Sequence, residues 1–330
     1  MNLNSRFSEK MVNKVDLKPI FIISEPRSGT TWLQKALNSH GEIFCTEFRL
    51  FGDLFDTVVD VKPDGSTRER NRSSLESYIG AISQHLCLKD AGILPRDFAD
   101  EMTSKIARGY FEYMSQKTGK KFIVDKFTSL PNPSIIKQCK RHFPDASYIY
   151  LSRDGRDISV SKFFDWVTKT KKGESVDAQS NIYRKYILGE DVKLSRLFTD
   201  EEVEHFARSW ASHVSSNMEN CGLSISYEAM HRDQGKVLES LFEYIGAGFD
   251  KDLIDHCIQQ STFKVMSGGR EKSDGQETAK ARSGVAGGWK KYFTCRDGEI
   301  FSKNCMSILN KLELESDEFW YKDLPEKLDL

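Results

Sequence analysis

The chain has 330 residues, 38% hydrophobic and 29% charged, with 48 basic side chains against 49 acidic ones and a formal net charge of -1. This ordinary globular composition excludes a disordered chain, and the cancelling charges leave no global field for nucleic acid or an anionic membrane, so any anion site must be local. Seven Cys in no CxxC pair and no regular framework exclude a disulfide scaffold and read as reduced thiols, while no stretch approaches the ~18 apolar residues of a membrane helix.

In chain order, the polar N-terminus has no apolar h-region, which predicts a flexible segment over residues 1–18 and a cytoplasmic protein. Ile20 to Ser24 is a short β-rich apolar run, followed by the loop Glu25-Pro26-Arg27-Ser28-Gly29 and a helix from Thr30 to Asn38. Residues 62–72 are polar and aperiodic and are expected to form a surface loop. Phe122 to Asp125 is a second strand, followed by a Pro-bearing loop and a helix from about Ser134 to His142. Tyr148 to Leu151 is a third strand, ending in Ser152-Arg153-Asp154-Gly155-Arg156-Asp157 before a helix to about Trp166. A second polar loop is expected over 168–180, and Leu223 to Ser226 is a fourth strand ahead of a helix from about Gly235 to Ile245. The tract 267–288, rich in Gly, Ser and charge, is the longest irregular stretch and is either functional or disordered. Strands alternating with helices predict an α/β fold, a parallel sheet flanked by helices on both faces. Length alone suggests two domains, but strands spread from Ile20 to Ser226 favour a single one over residues 19–330.

Strand, Gly-bearing loop and helix together make a phosphate site, because the first turn of a helix offers unpaired N–H groups and partial positive charge. Aligned on GxxxxGK[ST], Ser24 stands where the first Gly belongs, Gly29 matches, Thr30 replaces the Lys and Thr31 matches the hydroxyl position. The missing Lys counts against an ATPase or kinase and suits a nucleotide with one substituted 5′-phosphate. A bare SGTT is equally an ordinary strand-to-helix turn with Ser and Thr caps.

The string Glu25-Pro26-Arg27-Ser28-Gly29-Thr30-Thr31-Trp32-Leu33 resembles the 5′-phosphosulfate loop of the sulfotransferase family, whose donor is 3′-phosphoadenosine 5′-phosphosulfate (PAPS). Ser152 to Ser161 (SRDGRDISVS) resembles the family's 3′-phosphate segment, residues 282–290 (RSGVAGGWK) its RKGxxGxWK element, and Tyr227-Glu228 its YE pair. The resemblance spans about Pro19 to Phe293. It implies a P-loop NTPase-like α/β fold, a soluble PAPS-dependent enzyme that releases 3′-phosphoadenosine 5′-phosphate (PAP), and no metal. The nucleotide-binding residues it implies are Arg27, Ser28, Gly29, Thr30, Thr31, Trp32, Arg153, Ser161, Tyr227, Phe263, Arg282, Ser283 and Gly284, with Ser261 beside an adenine contact.

For chemistry, the resemblance places Arg27, Thr30 and Thr31 at the leaving phosphate and Lys126 at the sulfuryl group. One branch of the family uses a His two residues after that Lys, where this chain has Thr128, which is no base near neutral pH. A second branch uses a Glu after the first helix; PRSGTT, NSH and Cys45-Thr46-Glu47-Phe48-Arg49 resemble it, so Glu47 is the expected base with Arg49 beside it and Asp125 in reserve. The acceptor is expected to be a small molecule bearing a hydroxyl or an amine, with a carbohydrate as runner-up, bound by the loops 48–60, 62–72, 163–180 and 267–281. Lys290, Thr294 and Glu299 resemble the family's dimer segment and imply a homodimer through 290–299. A P-loop nucleotide kinase and a non-catalytic PAP-binding scaffold are the rivals from other classes.

Overall fold

A computed structural model describes residues 17–47, 57–61, 67–71, 79, 82, 83, 92–128, 133–170, 181–269 and 284–330. The sheet strands are β1 (Ile20–Ser24), β2 (Ile43–Thr46), β5 (Phe122–Thr128), β6 (Ser147–Ser152) and β7 (Leu223–Ser226); β3 (Thr57–Val61) and β4 (Thr67–Asn71) form a separate antiparallel pair. The helices are α1 (Thr30–Asn38), α2 (Pro95–Thr118), α3 (Pro133–His142), α4 (Gly155–Thr170), α5 (Asn181–Tyr186), α6 (Asp200–Asn217), α7 (Tyr227–Arg232), α8 (Gln234–Ile245), α9 (Lys251–Gln260), α10 (Phe263–Met266) and α11 (Cys295–Lys311).

The five sheet strands run in the order β2-β5-β1-β6-β7, every pairing parallel. β1 is buried along its whole length, as a run without polar alternation must be when both faces are covered. Phe21 and Ile23 face a core shared with Phe111, Phe143, Tyr148, Tyr150, Trp210 and Phe301. Ile20 and Ile22 face the opposite core with Leu33, Leu37, Leu241 and Phe242. α1 sits on the second face, while α6 and α11 pair on the first; α6 and α11 start with capping boxes, Thr199 with Glu202 and Thr294 with Asp297.

The predicted α/β class and all four predicted strands are present, with three differences. Residues 67–71, expected in a loop, are strand β4, whose register pairs Thr67 with Val61 and Asn71 with Thr57; cross-strand pairing organises a polar segment that carries no apolar period. The strand beginning at Phe122 continues to Thr128, because β1 offers partners as far as Ser24, so Lys126 and Thr128 lie inside the sheet and not after it. Helix α4 extends to Thr170, into the predicted second loop; residues 171–180 lie outside the described residues, as do 1–16 and 270–283.

The six described cysteines are free. Among the described residues no helix is long and apolar enough to cross a membrane. In the 290–299 segment, the Thr294 hydroxyl caps α11 and Glu299 pairs with Arg296 at 2.8 Å, both within one chain.

Candidate functional site

The strand order places β1 between β5 on one side and β6 on the other; the chain leaves β1 towards β2 on one side and leaves β6 towards β7 on the other. A crevice at the carboxyl ends of the strands is required at such a switch point, and open α/β sheets bind ligands there. Ser24, the last residue of β1, stands level with Thr128 of β5 and Leu151 of β6. The segments singled out in the sequence gather towards this edge: 25–31 leaves β1, Glu47 follows β2, Arg153 follows β6 and Tyr227 follows β7, while Lys126 lies within β5 two residues before its end.

The loop after β1 is conformationally demanding. Arg27 has φ 77 and Gly29 has φ 88, and a left-handed Arg is held only where its surroundings insist. Those surroundings are α4 and β6. Arg27 Nε donates to Ser161 Oγ at 2.9 Å, its Nη1 lies 3.4 Å from Asp165 Oδ1, and its carbonyl accepts from Arg153 Nη1 at 2.9 Å. At Gly29 a Cβ would lie 2.5 Å from the Tyr227 ring, so glycine is required both by backbone and by space. Gly29 caps α1 without a side-chain hydrogen bond, which leaves the first-turn N–H groups at Thr30 and Thr31 directed to an incoming anion. The hydroxyls of Ser24 and Ser28 are buried and have no partner among the described residues.

Arg153 lies over the Tyr227 ring, 4.1 Å from its centroid. Burial by itself would lower the guanidinium pKa; Tyr227, Asp157, Glu228 and Asp154 around it more than reverse this and keep it charged. Its Nε is buried without a partner among the described residues. Trp32 is half-buried and edge-on to Tyr227 and His231, at centroid distances of 5.5 and 4.9 Å. Phe263 is buried, and Gly284, with φ 65, lies so close that a Cβ there would meet the Phe263 ring at 2.3 Å. Ser261 is committed within α9, donating to Cys257 O at 2.7 Å and accepting from Gln234 Nε2 at 2.8 Å.

Across the crevice, Lys126 is buried and its Nζ lies 3.3 Å from Glu47 Oε2, while the Glu47 side chain is 38% exposed. A carboxylate at the solvent edge beside a buried cation can meet an entering molecule. Asp125, by contrast, is fully buried and lies in the middle of the sheet between the Phe21 and Thr46 register positions. Arg49, Arg282 and Ser283 lie outside the described residues. Among the described residues no group of three or more His, Cys, Asp or Glu side chains could hold a metal ion.

Three acidic groups at this edge were given no role by sequence reasoning, which named Glu228 only as half of the YE pair and Glu25 only within the loop string. Glu25 is buried within the loop; burial pushes its carboxyl up, and Lys162, 2.5 Å away, pulls it down. Asp157 accepts from the N–H groups of Gly287 and Trp289. Glu228 Oε1 accepts from Asp154 N–H at 2.9 Å, and burial pushes its carboxyl up from 4.5 to about 7. One signal was available for Asp157: Arg153, Asp157, Ser161 and Asp165 recur every four residues and therefore share a helix face.

The Glu228 shift has a thermodynamic sign. A carboxyl whose pKa is higher in the fold favours the protonated folded state, so this stability is full below pH 4.5 and is lost as pH rises through about 7. Glu228→Gln keeps an oxygen for Asp154 N–H and abolishes the titration. The variant is expected to gain about 3 kcal/mol over the parent at pH 8 and almost nothing at pH 4. Urea unfolding at the two pH values measures this, and equal gains at both would count against it.

The family model described as "Sulfotransferase domain" matches residues 17–313. The chain is 29% identical over 168 residues to "Sulfotransferase 2A1" of Rattus norvegicus, covering 48% of this chain and 55% of that protein. It is 29% identical over 166 residues to "3-beta-hydroxysteroid sulfotransferase" of Cavia porcellus, covering 48% and 54%. The chain thus spans about half the length of the curated relatives it matches. In fold it is similar to a crystal structure of the mouse sulfotransferase SULT7A1 complexed with PAP, with TM-score 0.51, 18% identity, and coverage of 91% of this chain and 89% of that one. A parallel sheet with a strand, glycine loop and helix start at its switch point, and a family match running through every segment of that edge, lead to one conclusion: the chain belongs to the sulfotransferase domain family.

Proposed function

We propose that the chain transfers a sulfuryl group from PAPS to a hydroxyl, or less favourably an amine, of a small-molecule acceptor and releases PAP. The observation that carries this reading is the convergence at one sheet edge of an anion loop, a buried charged Arg153 and the Glu47–Lys126 pair. The fit of the nucleotide is supported by polar atoms that burial leaves without partners, Ser24 Oγ, Ser28 Oγ and Arg153 Nε, since such atoms are costly unless a ligand satisfies them. A small-molecule hydroxyl is supported by the similarity to the Cavia porcellus 3-beta-hydroxysteroid sulfotransferase; a carbohydrate acceptor is the runner-up within the family.

PAPS supplies a sulfuryl group whose bond to the phosphate oxygen breaks as a bond to the acceptor oxygen forms, leaving negative charge on PAP. The N–H groups at the start of α1 and the hydroxyls of Ser28, Thr30 and Thr31 hold the 5′-phosphate end. Arg27 donates hydrogen bonds to that end but cannot act as a proton donor, because its pKa is too high. Arg153 and Ser161 hold the 3′-phosphate, a planar fork and a hydroxyl suiting a dianion. Trp32, Tyr227 and Phe263 face the nucleoside, and Gly284 belongs to the element that the resemblance assigns to the 3′-phosphate; Arg282 and Ser283 of that element lie outside the described residues. Glu47 Oε2 takes the acceptor proton, and Lys126 keeps a positive charge beside the transferring group.

Calorimetry with PAP, ATP and AMP tests the reading. PAP is expected to bind at least about tenfold more tightly than either, by the one further phosphate contact that AMP lacks. Preference for ATP would make a nucleotide kinase the better reading. Tight PAP binding with no transfer from labelled PAPS to any acceptor in a library would leave a non-catalytic PAP-binding scaffold.

A further inference from the structure

The first turn of α4 holds a carboxylate to which the reading above gives no part. Asp157 is 2% exposed. Its Oδ2 accepts from Gly287 N–H at 2.8 Å and its Oδ1 from Trp289 N–H at 2.9 Å, contacts that span 130 and 132 residues of sequence. One helical turn earlier, Arg153 Nη2 lies 3.5 Å from the same Oδ2. One side chain therefore touches both the arginine at the end of β6 and the 3-10 turn Gly288–Lys291 with the residue before it.

That turn is seated from two other directions. The Trp289 ring lies 3.9 Å from the Arg156 guanidinium, which also lies 4.4 Å from the Trp320 ring. Arg156 is itself held by Asp154 at 2.7 Å and Glu315 at 2.6 Å. Three residues before Gly287, Gly284 rests on the Phe263 ring. With Trp289 clamped by Arg156, the Asp157 contact to Gly287 sets how the described stretch from Gly284 to Trp289 crosses Phe263.

The same carboxylate also orients the guanidinium. Arg153 spends Nη1 on the Arg27 carbonyl and turns Nη2 to Asp157, which leaves Nε as the buried donor with no partner among the described residues. A planar fork fixed on two sides can present Nε in only one direction. We infer that Asp157 is a positioning residue for the donor nucleotide, aiming Arg153 and seating the Gly284–Trp289 stretch with one buried carboxylate, so that occupation of Arg153 and order at Gly287 and Trp289 are coupled. This rests on the nucleotide reading of the site.

Asp157→Asn provides the test, because an amide offers one acceptor oxygen and turns a donor towards the other N–H. The PAP dissociation constant and the KM for PAPS are expected to rise by about 10- to 100-fold, with the acceptor KM unchanged and kcat at saturating PAPS within about threefold. A merely structural role would lower the active fraction, and with it kcat, while leaving the KM for PAPS in place. Hydrogen exchange on the unaltered protein supplies a second measurement that needs no variant to fold: the Gly287 and Trp289 amides are expected to slow by at least about fivefold when PAP binds. A D157N variant with the parent's PAP affinity, or amides whose exchange ignores PAP, overturns the inference. If the unaltered protein binds no PAP at all, the nucleotide reading falls first, and the two failures are told apart.

Discussion

Glu47→Gln is expected to lower the single-turnover rate of sulfuryl transfer by about 10²- to 10⁴-fold, the range that a positioned general base contributes, and to leave PAP affinity within about threefold. The amide has the size of the carboxyl and can still place an oxygen near Lys126 Nζ, now 3.3 Å from Glu47 Oε2, so packing at the end of β2 is preserved while proton acceptance is lost. Thr128→Ala is the companion measurement. Thr128 stands level with Ser24 at the mouth of the crevice, in the place where one branch of the family has its histidine, and its removal is expected to change transfer by less than about threefold. A Glu47→Gln variant with near-normal turnover would remove the assignment. Asp125 is a poor substitute base, because it is buried in mid-sheet while Glu47 stands at the solvent edge.

Arg153→Lys is expected to weaken PAP binding by roughly 30- to 300-fold, equivalent to about 2–3.5 kcal/mol, and to weaken AMP binding far less. The guanidinium now does three things at once: it lies over Tyr227 at 4.1 Å, donates to the Arg27 carbonyl at 2.9 Å and approaches Asp157 at 3.5 Å. A lysine ammonium is a point charge on a flexible stem and cannot keep these contacts together while holding a phosphate through a planar fork. Because AMP lacks the 3′-phosphate, titrations of both ligands separate a lost phosphate contact from a general loosening of the loop. Equal losses for PAP and AMP would show that Arg153 acts on the loop through Arg27 and not on the 3′-phosphate.

The strands were legible wherever a short apolar run met a loop of Gly, Pro and charge, as at Ile20–Ser24 and Tyr148–Leu151, since a strand buried on both faces has no other way to be written. The phosphate loop was legible for the same local reason, with Gly29 at the one position where a side chain would strike Tyr227. Helix α2 was passed over because its 24 residues carry many charges and only a weak apolar stripe, and it is placed by packing Ala107 and Phe111 into the core beside Phe21. The pair β3 and β4 was read as loop because its order comes from cross-strand register, which leaves no trace in one strand's composition.

The sequence by itself determined the α/β class, the strand–glycine loop–helix turn after β1 and the family, because each is written in contiguous residues whose local physics is strong: buried apolar strands, a left-handed glycine and a helix start. Only the tertiary structure decided which charges meet. The strand order β2-β5-β1-β6-β7 brings Glu47 to Lys126, Arg27 to Ser161 and Asp165, and Asp157 to Gly287 and Trp289. Four-residue spacing was available to place Asp157, Ser161 and Asp165 on one face of α4 with Arg153 one turn before it, but helix geometry fixes neighbours only within a few turns. What lies opposite that face is set by how the chain crosses the sheet, and contacts 130 residues apart are settled by the packing of the whole fold.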